Sequence, residues 1–206
     1  MKIMSKAIHK VLLSKSVNKF THANNLFIAN GVLYLTKSED DLFKHMVRLV
    51  CSQQLSLKAA NTIWGKIIHQ VEYDNLSLAD ACNKDYAESL RECGLSGNKV
   101  KALQGLKLAF DRGDISNEMI TKSSHSQILE LVCNIWGFGP WSGDMIAMFY
   151  CALPDVWSDG DLILNKGIKK LTKKQVATPN EFLRHFSPFK SYLALHIWKG
   201  KNMGLL

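Results

Sequence analysis

Gly137 and Gly139 stand one residue apart inside an otherwise helical apolar pattern, and that spacing restricts the fold more than any other feature of the chain. Upstream, Ile128, Leu131, Val132, Ile135 and Trp136 recur on one helical face. Downstream, Pro140 suits the first turn of a second helix. So short a connection makes the two helices a tight hairpin, with both glycines able to take positive φ and Phe138 able to plug the core between them. The amides of Gly137, Gly139, Trp141 and Ser142 would then face outward as an anion site, favoured by the dipole of the second helix. The plainer alternative is an ordinary helix–helix turn.

Helical periodicity extends over most of the remaining chain. Ala60, Ile63, Trp64, Ile67 and Ile68 share a face, and breaks carrying Gly, Pro or Asx residues fall at 94–97, 111–114 and 153–155. One segment reads differently: Asn30-Gly31 between two apolar runs predicts a small β-hairpin over 27–36. Without a linker, repeat or low-complexity tract, the expected architecture is all-α, built of helices joined by short loops.

The chain has 206 residues, is 47% hydrophobic and carries a formal net charge of +8, which favours a polyanionic partner and electrostatic steering toward it. No run approaches the length of a membrane span, and the opening Met1-Lys2-Ile3-Met4-Ser5-Lys6 lacks a secretory apolar core. An intracellular location is the expectation, cytoplasm and nucleoid in a bacterium or the nucleus in a eukaryote. Cys51, Cys82, Cys93, Cys133 and Cys151 are odd in number and widely spaced. They read as reduced, mostly buried thiols, with no metal site expected.

The segment Leu131-x-x-x-Ile135-x-Gly137-Phe138-Gly139-Pro140-Trp141-Ser142, followed by Ser158-Asp159-Gly160-Asp161-Leu162, resembles the signature of the helix-hairpin-helix (HhH-GPD) DNA glycosylase superfamily. Its flanks are similar to those of the 3-methyladenine DNA glycosylase II branch. Three further blocks agree in order: 50–60, including Gln53-Gln54-Leu55; 93–99; and 189–198, including Tyr192 and Trp198. The resemblance covers residues 41–200. It implies two helical lobes with a cleft between them, one of residues 41–150 containing the hairpin 137–141, the other of residues 1–40 plus 151–206.

The resemblance also implies roles. Asp161 takes the place of the family's catalytic Asp, while Asp159 has the wrong neighbours. The position that carries a Lys in the bifunctional glycosylase/lyases is Trp141 here, so no Schiff base is expected there and the implied enzyme is monofunctional. Breaking an N-glycosidic bond leaves an oxocarbenium-like sugar, which a preformed negative charge stabilises. An Asp side chain is ordinarily ionised at neutral pH, and Asp161 can also cap the helix that follows it. Alkylated purines are already cationic and need little protonation, so one carboxylate suffices.

A base in duplex DNA must be flipped out before it is cut. Gln54 and Leu55 resemble the family's intercalating loop, Leu55 as the apolar wedge and Gln54 as a polar plug, with burial of Leu55 in the core as the alternative. Trp141 and Trp198, and more weakly Tyr192, are candidate walls of a pocket that stacks a cationic base. Lys99 and Lys166 could add charge, and Lys169, Lys170, Lys173 and Lys174 form a basic run that fits a solvated surface. The implied partner of this monomer is damaged double-stranded DNA, with no cofactor beyond a monovalent cation that could bridge hairpin carbonyls to phosphate. A non-catalytic helix-hairpin-helix DNA-binding or damage-sensing protein, and a glycosylase for other damaged bases, remain the alternatives.

Overall fold

The computed structural model describes residues 2–173 and 177–206, and among these it contains helices and no strand. In chain order the α-helices are α1 (Lys2–Ser16), α2 (Thr21–Asn30), α3 (Leu42–Ser52), α4 (Leu57–Tyr73), α5 (Ala87–Glu92), α6 (Gly97–Arg112), α7 (Asn117–Lys122), α8 (His125–Cys133), α9 (Pro140–Met145), α10 (Leu162–Leu171), α11 (Pro179–Phe186) and α12 (Lys190–Asn202). A π-helical turn, Ile146–Tyr150, follows α9 directly. None of the described helices is long and apolar enough to cross a membrane.

Side-chain caps fix where many of these helices begin. Asp41, Ser56, Ser96, Ser116 and Ser124 each accept the N–H three residues on, satisfying a donor the helix leaves unpaired. Ser124 with Gln127, and Thr178 with Glu181, complete reciprocal capping boxes.

The chain forms two compact units. In the unit Ser38–Ile146, α3 presents Leu42, Met46, Val47 and Val50 at helical spacing, all buried. Helix α3 packs on α4 and on α6, whose buried face carries Val100, Leu103 and Leu106, while α8 packs on α9. The unit Met1–Lys37 with Ala147–Leu206 is centred on aromatic rings: Phe20 and Phe27 from α1–α2 meet Phe182 and Phe186 of α11 with centroids 4.8 to 5.8 Å apart.

The β-hairpin expected over 27–36 does not form. Ala23, Leu26, Phe27 and Asn30 line one buried face of α2, so the period there is helical. Gly31, at φ 64°, ends that helix, and 31–38 continue without regular structure. Asn30-Gly31 is therefore a helix C-terminus, with the Asn30 amide drawn inward to donate to the His196 carbonyl at 2.8 Å. Trp136 also departs from expectation. Helix α8 ends at Cys133, and Trp136 is 55% exposed while Ile128, Val132 and Ile135 are buried.

Candidate functional site

The hairpin joins α8 to α9 in the unit Ser38–Ile146. Only one of its glycines has positive φ. Gly137 sits at φ 84°, and a Cβ built there would lie 2.5 Å from Ala102 Cβ on α6, so any side chain is excluded by both conformation and contact. Gly139 is extended, at φ −131° and ψ −173°, with nothing within 4 Å of a built Cβ, and corrects the expectation of positive φ at both. Pro140 occupies the first turn of α9 as expected, and Phe138 is buried. Gly143 brings α9 against α8: its Cβ would stand 2.6 Å from Leu129 Cδ2.

The amides at the hairpin divide into two kinds. Those of Gly137 and Gly139 donate to no group among the described residues. That of Ser142 donates to the Gly139 carbonyl at 2.9 Å, so it is spent inside the chain and is not an anion donor as expected. The Ile135 carbonyl accepts Phe138 N–H at 3.1 Å and keeps a second lone pair, a hard oxygen of the kind a monovalent cation takes.

The turn between α3 and α4 lies in the same unit. Gln54 adopts φ 57°, unusual outside glycine, and is exposed; Leu55 is 42% exposed, which removes the reading of Leu55 as core. Gln53 closes α3 and sends its side-chain amide to Ser142 Oγ at 3.3 Å. Lys99 was a candidate for free charge, but its ammonium donates to the Cys51 carbonyl at 3.0 Å, where a cation complements the C-terminus of α3. Burial pulls this ammonium below the usual lysine range. Trp141 is half-buried on the second residue of α9. Asp144, buried on the same helix, bonds His125 Nε2 at 2.8 Å, a pair that no sequence spacing had marked.

Asp161 belongs to the other unit, where it caps α10. Its Oδ1 accepts the N–H groups of Ile163 and Leu164, both at 2.9 Å, and Trp198 Nε1 donates to the same oxygen at 3.4 Å. The expected cap and the expected carboxylate are thus one group, held by the first turn of a helix and by an indole. Trp198 is half-buried on α12, its ring 5.8 Å from that of Phe149. Asp159 is exposed, and its carbonyl is taken by the Asn165 side chain at 2.6 Å.

The loop leading to Asp161 is fastened to the start of α12. Ser191, fully buried, donates to the Leu153 carbonyl at 2.6 Å and accepts Val156 N–H at 2.9 Å, while its own N–H reaches the Pro154 carbonyl at 3.0 Å. Asp155 accepts from Ser187 Oγ at 2.7 Å and from Lys190 N–H at 3.1 Å. Neither residue had been singled out, because such bonds join positions more than thirty apart. Tyr192 is corrected: it is 2% exposed and its hydroxyl lies 3.2 Å from Ser5 Oγ, leaving no ring face open to stack a base.

Lys166, Lys169, Lys170 and Lys173 are exposed, as a solvated run would be, and Lys174 lies outside the described residues. All five cysteines are free thiols; four are buried and Cys133 is exposed. Burial pushes the Cys51 thiol up to about 11 and that of Cys82 up to about 12, which keeps both as poorly reactive thiols.

The model of the HhH-GPD superfamily of base excision DNA repair proteins matches residues 47–107, the stretch from α3 through most of α6. DNA-3-methyladenine glycosylase 1 of Schizosaccharomyces pombe is 27% identical over 166 residues, 78% of this chain and 73% of that protein. The DNA-3-methyladenine glycosylase of Saccharomyces cerevisiae is also 27% identical, over 74% of this chain but only 55% of its own length. Among solved structures, the Schizosaccharomyces pombe 3-methyladenine DNA glycosylase in complex with abasic DNA superposes with a TM-score of 0.78 at 21% identity, covering 95% of this chain and 97% of that one. The Bacillus halodurans DNA-3-methyladenine glycosidase gives 0.73 at 22% identity over 93% and 88%. The chain thus carries a match to the HhH-GPD superfamily of base excision DNA repair proteins over residues 47–107, and it is similar to DNA-3-methyladenine glycosylases in sequence and to their solved structures in its all-helical fold.

Proposed function

We propose that the chain is a monofunctional DNA glycosylase of the 3-methyladenine DNA glycosylase II type, removing alkylated purines from duplex DNA in base excision repair. The observation that carries the proposal is the carboxylate of Asp161, held at the first turn of α10 with an indole N–H on Oδ1. A negative charge fixed by backbone donors needs no reorganisation as positive charge develops on the sugar, and the same carboxylate can orient the attacking water. An N-alkylated purine leaves as a neutral base, so the site requires no separate general acid.

Each unit supplies a distinct share of the work. In Ser38–Ile146 the amides of Gly137 and Gly139, which donate to no group among the described residues, receive a phosphate, and the exposed Gln54-Leu55 turn enters the stack when the damaged base leaves it. Trp141 offers an aromatic face to a cationic base. In the other unit Asp161 carries the chemistry, with Trp198 beside it. The chain acts as a monomer inside the cell where the DNA is, and the chemistry itself needs no cofactor.

Base release from duplexes bearing single defined lesions tests the proposal. Release of 3-methyladenine and 7-methylguanine should outpace that of hypoxanthine, uracil and 8-oxoguanine, with no adduct trapped by borohydride. Fastest release of a neutral oxidised base would refute the alkylation reading, and no release of any base would leave a DNA-binding protein without activity.

A further inference from the structure

Trp136 is the one exposed tryptophan among the chain's five, and it immediately precedes Gly137. An indole costs more to leave in water than almost any other side chain, and lone exposed ones mark contact surfaces more often than smaller apolar residues do. Its backbone is pinned: a Cβ built on Gly105 of α6 would meet the Trp136 carbonyl at 3.5 Å and the Trp136 Cβ at 3.6 Å. The main chain at 136 therefore rests on α6 while its ring projects. One residue on, Gly137 rests on Ala102 of the same helix, and its N–H donates to no group among the described residues.

Lys101 is exposed and lies one helical turn before Gly105, on the face of α6 over which Trp136 passes. A cation, an aromatic plane and the Gly137 amide thus lie along the same stretch of α6, and the Gly139 amide, which also donates to no group among the described residues, follows two residues on. These are the complements of a sugar–phosphate backbone: the ammonium and the amides for phosphate oxygens, the indole face for the apolar side of a deoxyribose, and the indole N–H as a further donor.

We infer that Trp136 is a DNA-backbone contact of the hairpin, packing on the deoxyribose next to the phosphate that Gly137 and Gly139 receive. The inference rests on the hairpin being the DNA anchor of the proposed glycosylase. A contact of this kind adds affinity without releasing counterions, so it should strengthen binding by the same factor at every salt concentration.

Anisotropy titrations of an undamaged labelled duplex, repeated over a range of salt, test this with the full chain and the variants W136A, W136F and K101A. W136A should bind about tenfold more weakly with the salt slope unchanged. W136F should recover part of the loss, and K101A should lower the slope by about one. Thermal melts confirm that each variant is folded, as expected for exposed side chains. Affinity of W136A within about twofold of the wild type, or a changed slope, overturns the inference while the glycosylase reading stands on its own base-release assay. A wild-type chain that binds no duplex would bring down the hairpin anchor, and the inference with it.

Discussion

Gln53 donates its side-chain amide to Ser142 Oγ at 3.3 Å, joining the turn after α3 to the second helix of the hairpin. The two elements read as DNA-engaging are therefore bonded to one another within a single unit. In the proposed glycosylase this bond would couple the exposed Gln54-Leu55 tip to the hairpin that is to receive a phosphate.

Leu55→Ala should consequently reduce excision from duplex DNA by roughly tenfold and leave excision from single strands nearly unchanged, because only the duplex must have its vacated stack filled. Single-turnover rates on both substrates check this. Equal losses would remove Leu55 from the flipping step.

Asp161→Asn should cut base release by roughly 10²–10³-fold or more while leaving the melting temperature nearly unchanged. Asn caps a helix about as well as Asp, so α10 keeps its N–H acceptor while the charge is lost. Paired measurement of excision rate and thermal stability separates the two roles.

The glycines of the hairpin should behave in opposite ways. Gly137→Ala meets both φ 84° and the Ala102 Cβ and should cost about 1–3 kcal/mol of stability. Gly139→Val has open space and an extended backbone, so it should cost about 1 kcal/mol or less yet weaken binding to all duplex sequences alike. Denaturant melts and duplex titrations distinguish them.

Acid should destabilise the fold through His196. Burial, reinforced by the charges of His9 and Lys199, pushes this imidazole down to about 3, and its Nδ1 lies 3.2 Å from the Asn30 amide nitrogen. An unfolded chain takes up that proton near pH 6.5, roughly where a free histidine titrates, while the folded chain refuses it until far lower. Stability is therefore full above that pH and declines as the pH falls toward about 3. The urea midpoint should drop between about pH 7 and about pH 5, and His196→Gln should show a smaller drop. A midpoint equally pH-dependent in both proteins would reassign the effect.

Much of the fold was legible because its signals are local. The shared face of Ala60, Ile63, Trp64, Ile67 and Ile68 predicts a helix, and Asp161 before Leu162-Ile163-Leu164 predicts a cap; α4 and the cap of α10 are both observed. Where the sequence misled, a distant partner decided the outcome. Asn30-Gly31 has the chemistry of a hairpin turn, but Asn30 is claimed by His196, 166 residues away. An aromatic residue does not announce which way it faces, so Tyr192 read as a pocket wall and lies in the core, while Trp136 read as part of an apolar helical face and lies outside. The bond between Gln53 and Ser142, separated by 89 residues, leaves no trace in local spacing.

The double use proposed for Asp161, as cap and as catalytic carboxylate, has a consequence for how such chains drift. A residue that caps α10 with two backbone bonds is kept by folding alone, even in a descendant that no longer cuts DNA. Its survival in a distant homologue is then poor testimony to activity. The exposed Leu55 owes nothing to the core, so it would erode sooner and record more faithfully when repair was abandoned.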